Sequence, residues 1–206
     1  GQTAMQTAPD FDGIIGTSRA DGTQTFRFDE LVGDATRPRY QAGAQMTRVA
    51  NNNDRFLVAS VNGGTLFDPV NLPGGDFNKA SALYSVDVDI TGNTSVNMWV
   101  DFSTTDFGPL TFVRGVTSGV GMDGLLDVYV SDGGTNALYH IDTDANGDVV
   151  SINQLLDGLS NPGEIIYNQY NNSLVFTQVD DSTISEYTLD GGVTTLLASN
   201  VSSRGL

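Results

Sequence analysis

The densest run of potential metal ligands is Asp142-Thr143-Asp144-Ala145-Asn146-Gly147-Asp148. It places oxygen donors at the first, third and fifth positions of a short loop. Glycine stands at the sixth, where a sharp turn is needed. This spacing matches the first half of a calcium-binding loop, with Asp142, Asp144, Asn146 and Asp148 as candidate ligands. The twelfth position is Asn153 rather than a bidentate glutamate. An Asp/Asn-Gly hairpin turn explains the same residues without a metal. Calcium is therefore a candidate ligand, and no cofactor is required.

A second set of residues could recognise a ligand by charge. Arg48, Arg114 and Arg204 each stand near the start of an apolar segment, and Glu164 does the same. Guanidinium groups form planar forks that match carboxylates and phosphates. If these segments converge, the arginines form a ring able to hold an anion or a partner's acidic side chain. With 25 acidic residues in the chain, pairing of each arginine with a nearby carboxylate is the simpler expectation. His140 is the one histidine and cysteine is absent. No Gly-x-Ser-x-Gly elbow is present, so His140 has no evident nucleophile to serve. It is expected on the surface. Asp132 and the Asp180-Asp181 pair read as turn residues.

What must position these groups is a set of short strands. A pattern of aromatic, polar, apolar and Asp recurs as Phe26-Arg27-Phe28-Asp29, Tyr84-Ser85-Val86-Asp87, Tyr139-His140-Ile141-Asp142 and Tyr187-Thr188-Leu189-Asp190. A second family precedes it: Ile14–Thr17, Leu57–Ser60, Val128–Ser131 and Leu174–Thr177. Looser segments follow at Ser95–Phe102, Val149–Leu156 and Val193–Ala198. First strands are expected near Thr47, Arg114, Gly163 and Arg204. Helical periodicity is almost absent. Repeats of about 40–60 residues built from short strands indicate a β-propeller with four-stranded antiparallel blades.

The expected organisation is a tail over 1–9 and a single propeller over 10–206. Blades are expected at about 10–40 (partial), 45–105, 106–158 and 159–200, with 201–206 starting a closing strand. Either a closed four-bladed propeller or part of a five- to seven-bladed one fits this division. Between the second and third strands of one repeat lies an insertion, roughly 62–79, carrying Pro69 and Pro73. Its Leu66, Phe67 and Phe77 are candidate anchors for a partner, since long loops on rigid scaffolds often carry function. Trp99 is expected to pack between blades.

The segments Asn161–Tyr167, Asn172–Thr177 and Ile184–Gly191, with Asp127–Asp132 and Leu138–Asp142 before them, resemble blades of NHL-type and SMP-30/gluconolactonase-like propellers. The resemblance covers roughly 110–206. For the hydrolases of that second family it implies a divalent metal at the channel mouth, held by Glu, Asn and Asp side chains of the inner strands. Glu164 falls in such a position. The matching slots elsewhere hold Arg48, Gly115 and Gly205, which are not ligands.

Composition narrows the partners. The net charge is −16, and Lys79 is the one lysine. Nucleic acid is disfavoured, because phosphate binding needs clustered basic residues. No run approaches the ~18 apolar residues of a spanning helix, so membrane insertion is not expected. A secreted, periplasmic or cell-surface bacterial location suits this acidic, cysteine-free chain. The leading expectation is a non-catalytic binding or scaffold module with a protein or carbohydrate partner at the loop face. A metal-dependent lactonase or esterase is the alternative. A subunit of an extracellular fibre or surface layer, self-associating through blade edges, is a third.

Overall fold

The structure is a computed structural model that describes residues 16–18, 24–27, 45–60, 82–88, 90, 94–102, 110 and 112–201. Arg204, Leu66, Phe67 and Phe77 lie outside the described residues.

Among the described residues, every regular element is a β-strand. Strands β1 (Gly16–Ser18) and β2 (Gln24–Arg27) pair with each other. Three four-stranded sheets follow. The first contains β3 (Met46–Arg48), β4 (Arg55–Ser60), β5 (Ala82–Val88) and β6 (Thr94–Asp101). The second contains β7 (Val113–Val120), β8 (Leu126–Asp132), β9 (Ala137–Thr143) and β10 (Val149–Leu156). The third contains β11 (Pro162–Asn168), β12 (Ser173–Gln178), β13 (Thr183–Thr188) and β14 (Val193–Ser199). In each sheet the strands lie in chain order and pair antiparallel. This is the blade arrangement that the repeat predicts.

The strands form where β-branched and aromatic residues cluster, as in Val128-Tyr129-Val130. Tight turns separate them. Asn136 and Asn172 adopt positive φ of 57° and 47° in the β8–β9 and β11–β12 connections. Asparagine tolerates this left-handed region better than most residues.

Both faces of the central strands are packed. Val128 and Val130 of β8, with Tyr139 and Ile141 of β9, join Leu57, Leu83 and Val100 of the preceding sheet in one core. Tyr129 and Leu138 point the other way and meet Ile165, Leu174 and Phe176 of the following sheet. Strand alternation thus feeds two cores from one sheet. Burial of a Leu or Ile side chain contributes about 1.5–3 kcal/mol, so these seams carry much of the stability. Outer strand β14 is exposed over nearly its whole length. Trp99 of β6 packs between sheets as expected, and its indole N–H donates to the Gly147 carbonyl at 3.1 Å.

The inner strands are stitched across the sheets. The Gln45 side-chain oxygen accepts from Val116 N (3.1 Å) and Ile165 N (3.0 Å), and its amide donates to the Ile165 carbonyl (2.9 Å). One side chain therefore ties three sheets together. Ser131 donates to the Gly163 carbonyl, and Tyr167 N donates to the Thr117 hydroxyl at 3.1 Å. Gly115 makes the close approach possible. A Cβ there would sit 2.6 Å from the Gly163 carbonyl oxygen and 2.9 Å from Ile165.

Candidate functional site

One end of the inner strands carries two members of the expected ring, Arg114 and Glu164. Val113, which opens β7, pairs with Asp132 at the end of β8; Pro162, which opens β11, pairs with Gln178 at the end of β12. Arg114 lies at this end, with its guanidinium 4.2 Å from the centroid of the Phe112 ring. Burial pulls its pKa below the ordinary arginine value, and the charge of Asp180 opposes that shift. Asp180 also accepts from the Asn161 amide at 3.0 Å, and Asn161 N donates to Asn136 at 3.1 Å. The Asn161 side-chain oxygen is buried without a hydrogen-bond partner. Glu164 stands half-buried on β11.

Arg48 does not join Arg114. Its carbonyl accepts from the Ser118 hydroxyl at 2.9 Å, and its guanidinium donates to Asn53. Ser118 is four positions beyond Arg114 on β7, about 13 Å away along a strand rising ~3.3 Å per residue. The repeat alignment places Arg48 level with the start of β7. The sheets instead align Gln45 with Val116, which carries Arg48 toward the opposite end.

Asp132 is structural. Its fully buried carboxylate accepts from Phe112 N (2.6 Å) and Thr135 N (2.7 Å). It holds the chain entering β7 against the β8–β9 turn.

In the 142–148 hairpin, Asp144 and Asp142 have different hydrogen-bond partners. Asp144 is consumed by the turn: it accepts from Asn146 N (2.8 Å), Asp148 N (2.9 Å) and the Asn146 amide (3.2 Å). These donors, led by the Asp148 N–H, hold its pKa below the ordinary carboxylate value. Asp142 belongs to the sheet face. It accepts from Ser151 and, at 3.0 Å, from the Asn153 amide. Asp142 lies on β9 and Asp144 in the turn that follows, so their hydrogen bonds run to different parts of the hairpin.

His140 departs most from expectation. It is not an isolated surface group. Its Nε2 lies 2.9 Å from Asp127 Oδ1 and its Nδ1 3.4 Å from Asp142 Oδ1. Its ring stacks on Tyr129, with centroids 4.9 Å apart, and Tyr129 stacks on Tyr167 at 5.6 Å. Cross-strand register explains the cluster: Asp127 faces Asp142, and Tyr129 faces His140. Burial, then the Asp127 charge, pushes the Tyr129 hydroxyl well above the ordinary phenol value. The signal was present in the sequence. Asp127-x-Tyr129 and His140-x-Asp142 share the two-residue strand period, and the intervening turn sets their pairing.

No family model matches the chain, and no curated protein matches it. Solved structures do. A gluconolactonase from Xanthomonas campestris is 14% identical, with a TM-score of 0.54 over 91% of this chain and 55% of that one. A chain of a nidogen–laminin complex is 12% identical, with a TM-score of 0.51 over 75% and 47%. A protein of unknown function from Bacteroides thetaiotaomicron is 12% identical, with a TM-score of 0.50 over 76% and 33%. The fold is a β-propeller. The chain spans between a third and just over half of these structures. At such identities the likeness concerns the scaffold alone. Two of the neighbours have different biological settings, one a binding complex and one an enzyme.

Proposed function

We propose that this propeller is a non-catalytic binding and scaffold module, secreted, periplasmic or on a cell surface, that engages a protein or carbohydrate partner at the Arg114 end of its inner strands. The observation that carries this reading is the Gln45 latch. By bonding the backbones of β7 and β11, it fixes the inner strands relative to one another. Rigid presentation of polar groups favours recognition, because less freedom is lost on binding. Arg114 on Phe112 and the Asn161–Asp180 pair supply donors and acceptors at that end. The 62–79 insertion follows β4 and precedes β5 in the chain, and its Leu66, Phe67 and Phe77 are proposed as further anchors of the face. Arg204 and Glu164 are further members of the proposed face.

A second reading, a metal-dependent lactonase, is favoured by the extent of the match to the gluconolactonase and by Glu164 on an inner strand. Its neighbours on aligned strands weaken it. Gly115 has no side chain to offer a metal, and the nearby Gln45 side chain is already committed to backbone.

Glycan and peptide arrays probed with the wild-type chain and Arg114→Ala test the proposal. Binding should fall at least about tenfold in the variant, the loss of a charge-assisted contact, while the thermal midpoint stays near wild type. Binding indifferent to Arg114→Ala and Asn161→Ala would place recognition elsewhere. Metal-dependent lactone hydrolysis lost in Glu164→Gln would overturn the non-catalytic reading.

A further inference from the structure

We propose that Asp127, His140 and Asp142 form a site for a first-row divalent cation of the zinc type, on the face of the second four-stranded sheet that looks toward the third. Each residue offers one ligand atom, and these atoms lie within 4.8 Å of one another. One imidazole and two carboxylates form a mixed nitrogen and oxygen donor set. Such a set suits zinc and its first-row neighbours better than calcium or magnesium, which prefer oxygen alone.

The ligands are held by the fold rather than by chance. Asp127 and His140 come from adjacent strands, β8 and β9, in fixed register, and Asp142 follows His140 by one strand period. Stacking on Tyr129, itself stacked on Tyr167 across the seam, sets the plane of the imidazole. Each carboxylate has an outer donor. The Tyr129 hydroxyl meets Asp127 at 3.4 Å, while Ser151 and Asn153 donate to Asp142. Such outer contacts orient metal ligands and tune them. Side-chain exposures of 20% for His140, 21% for Asp127 and 40% for Asp142 leave an entry path.

Charge points the same way. Among the described residues, His140 is the basic side chain beside both carboxylates, and neither pairs with lysine or arginine. A divalent cation would balance the two carboxylates. The chain's net charge of −16 raises the local concentration of cations. A bound ion would clamp β8 to β9 beside the seam with β11.

The test uses the tag-free chain after EDTA treatment. Because His140 is the one histidine in the sequence, its ring resonances report on this site without ambiguity. Zinc chloride should shift them saturably at one ion per chain, and calorimetry should show the same stoichiometry. Calcium chloride should leave the ring signals in place. Asp127→Asn and His140→Ala should each weaken zinc binding at least about tenfold. Asp144→Asn, in the neighbouring hairpin, should leave it unchanged. Ring signals of the wild-type chain unmoved by zinc would overturn the proposal, whatever the variants do. So would zinc binding that survives His140→Ala or is lost in Asp144→Asn.

Discussion

Asp132 shows how a single carboxylate can be spent on architecture. It is fully buried, and its two oxygens take the N–H groups of Phe112 and Thr135. Asp132→Ala should destabilise the fold by about 3 kcal/mol or more, because hydrogen bonds to a charged group are strong and two buried donors lose their acceptor. Urea unfolding at neutral pH reads this directly as a lower midpoint. Tyr129 governs the alkaline limb. Burial and the nearby Asp127 charge raise its pKa in the folded chain, and Tyr139 and Tyr167 are raised too, each chiefly by burial. The unfolded chain releases these protons near pH 10. Their contribution is therefore fully present below about pH 10 and is lost as the pH rises beyond it. The urea midpoint should fall between pH 9 and pH 11, and Tyr129→Phe should make that fall shallower. His140 marks the limit of residue-level reading. Its polar slot, shared with Arg27, Ser85 and Thr188, suggests a solvent-facing side chain in a sheet packed on one face. Here both faces are packed, so the polar slot looks toward the next sheet.

The strands themselves were legible because each sheet pairs only chain neighbours. Turn residues and strand period then suffice to fix the pairs. Strands β10 and β14 fall where the repeat places them, at Val149–Leu156 and Val193–Ser199. What local pattern cannot convey is the level of one sheet relative to the next. That level is set by contacts such as those of Gln45, which reach Val116 and Ile165 across 71 and 120 residues of sequence. Arg48 was misplaced for this reason, and Gln45 itself carries no repeat signature. Gln45→Leu keeps much of the side-chain volume but strands two backbone N–H donors. It should lower stability by about 2 kcal/mol or more. Hydrogen exchange should quicken at Val116 and Ile165 first, while amides in the β12–β13 ladder keep their protection. Uniform loss of protection across all three sheets would mean that the latch adds nothing specific to the inner strands.

At the scale of the whole molecule, the propeller explains how an acidic chain without cysteine can present a fixed face. Stacked sheets share apolar seams, inner strands are bonded side chain to backbone, and polar groups collect at the strand ends. The fold was readable from the repeat, whereas no repeated position identifies a ligand. Activity is the property that most sharply separates a scaffold from the enzyme among its structural neighbours. The deciding measurement is lactone hydrolysis by the wild-type chain and by Glu164→Gln, after EDTA treatment and after reloading with calcium, zinc or manganese. A binding module predicts turnover indistinguishable from buffer for both proteins under every metal. Turnover that appears on reloading and disappears in Glu164→Gln would contradict the account.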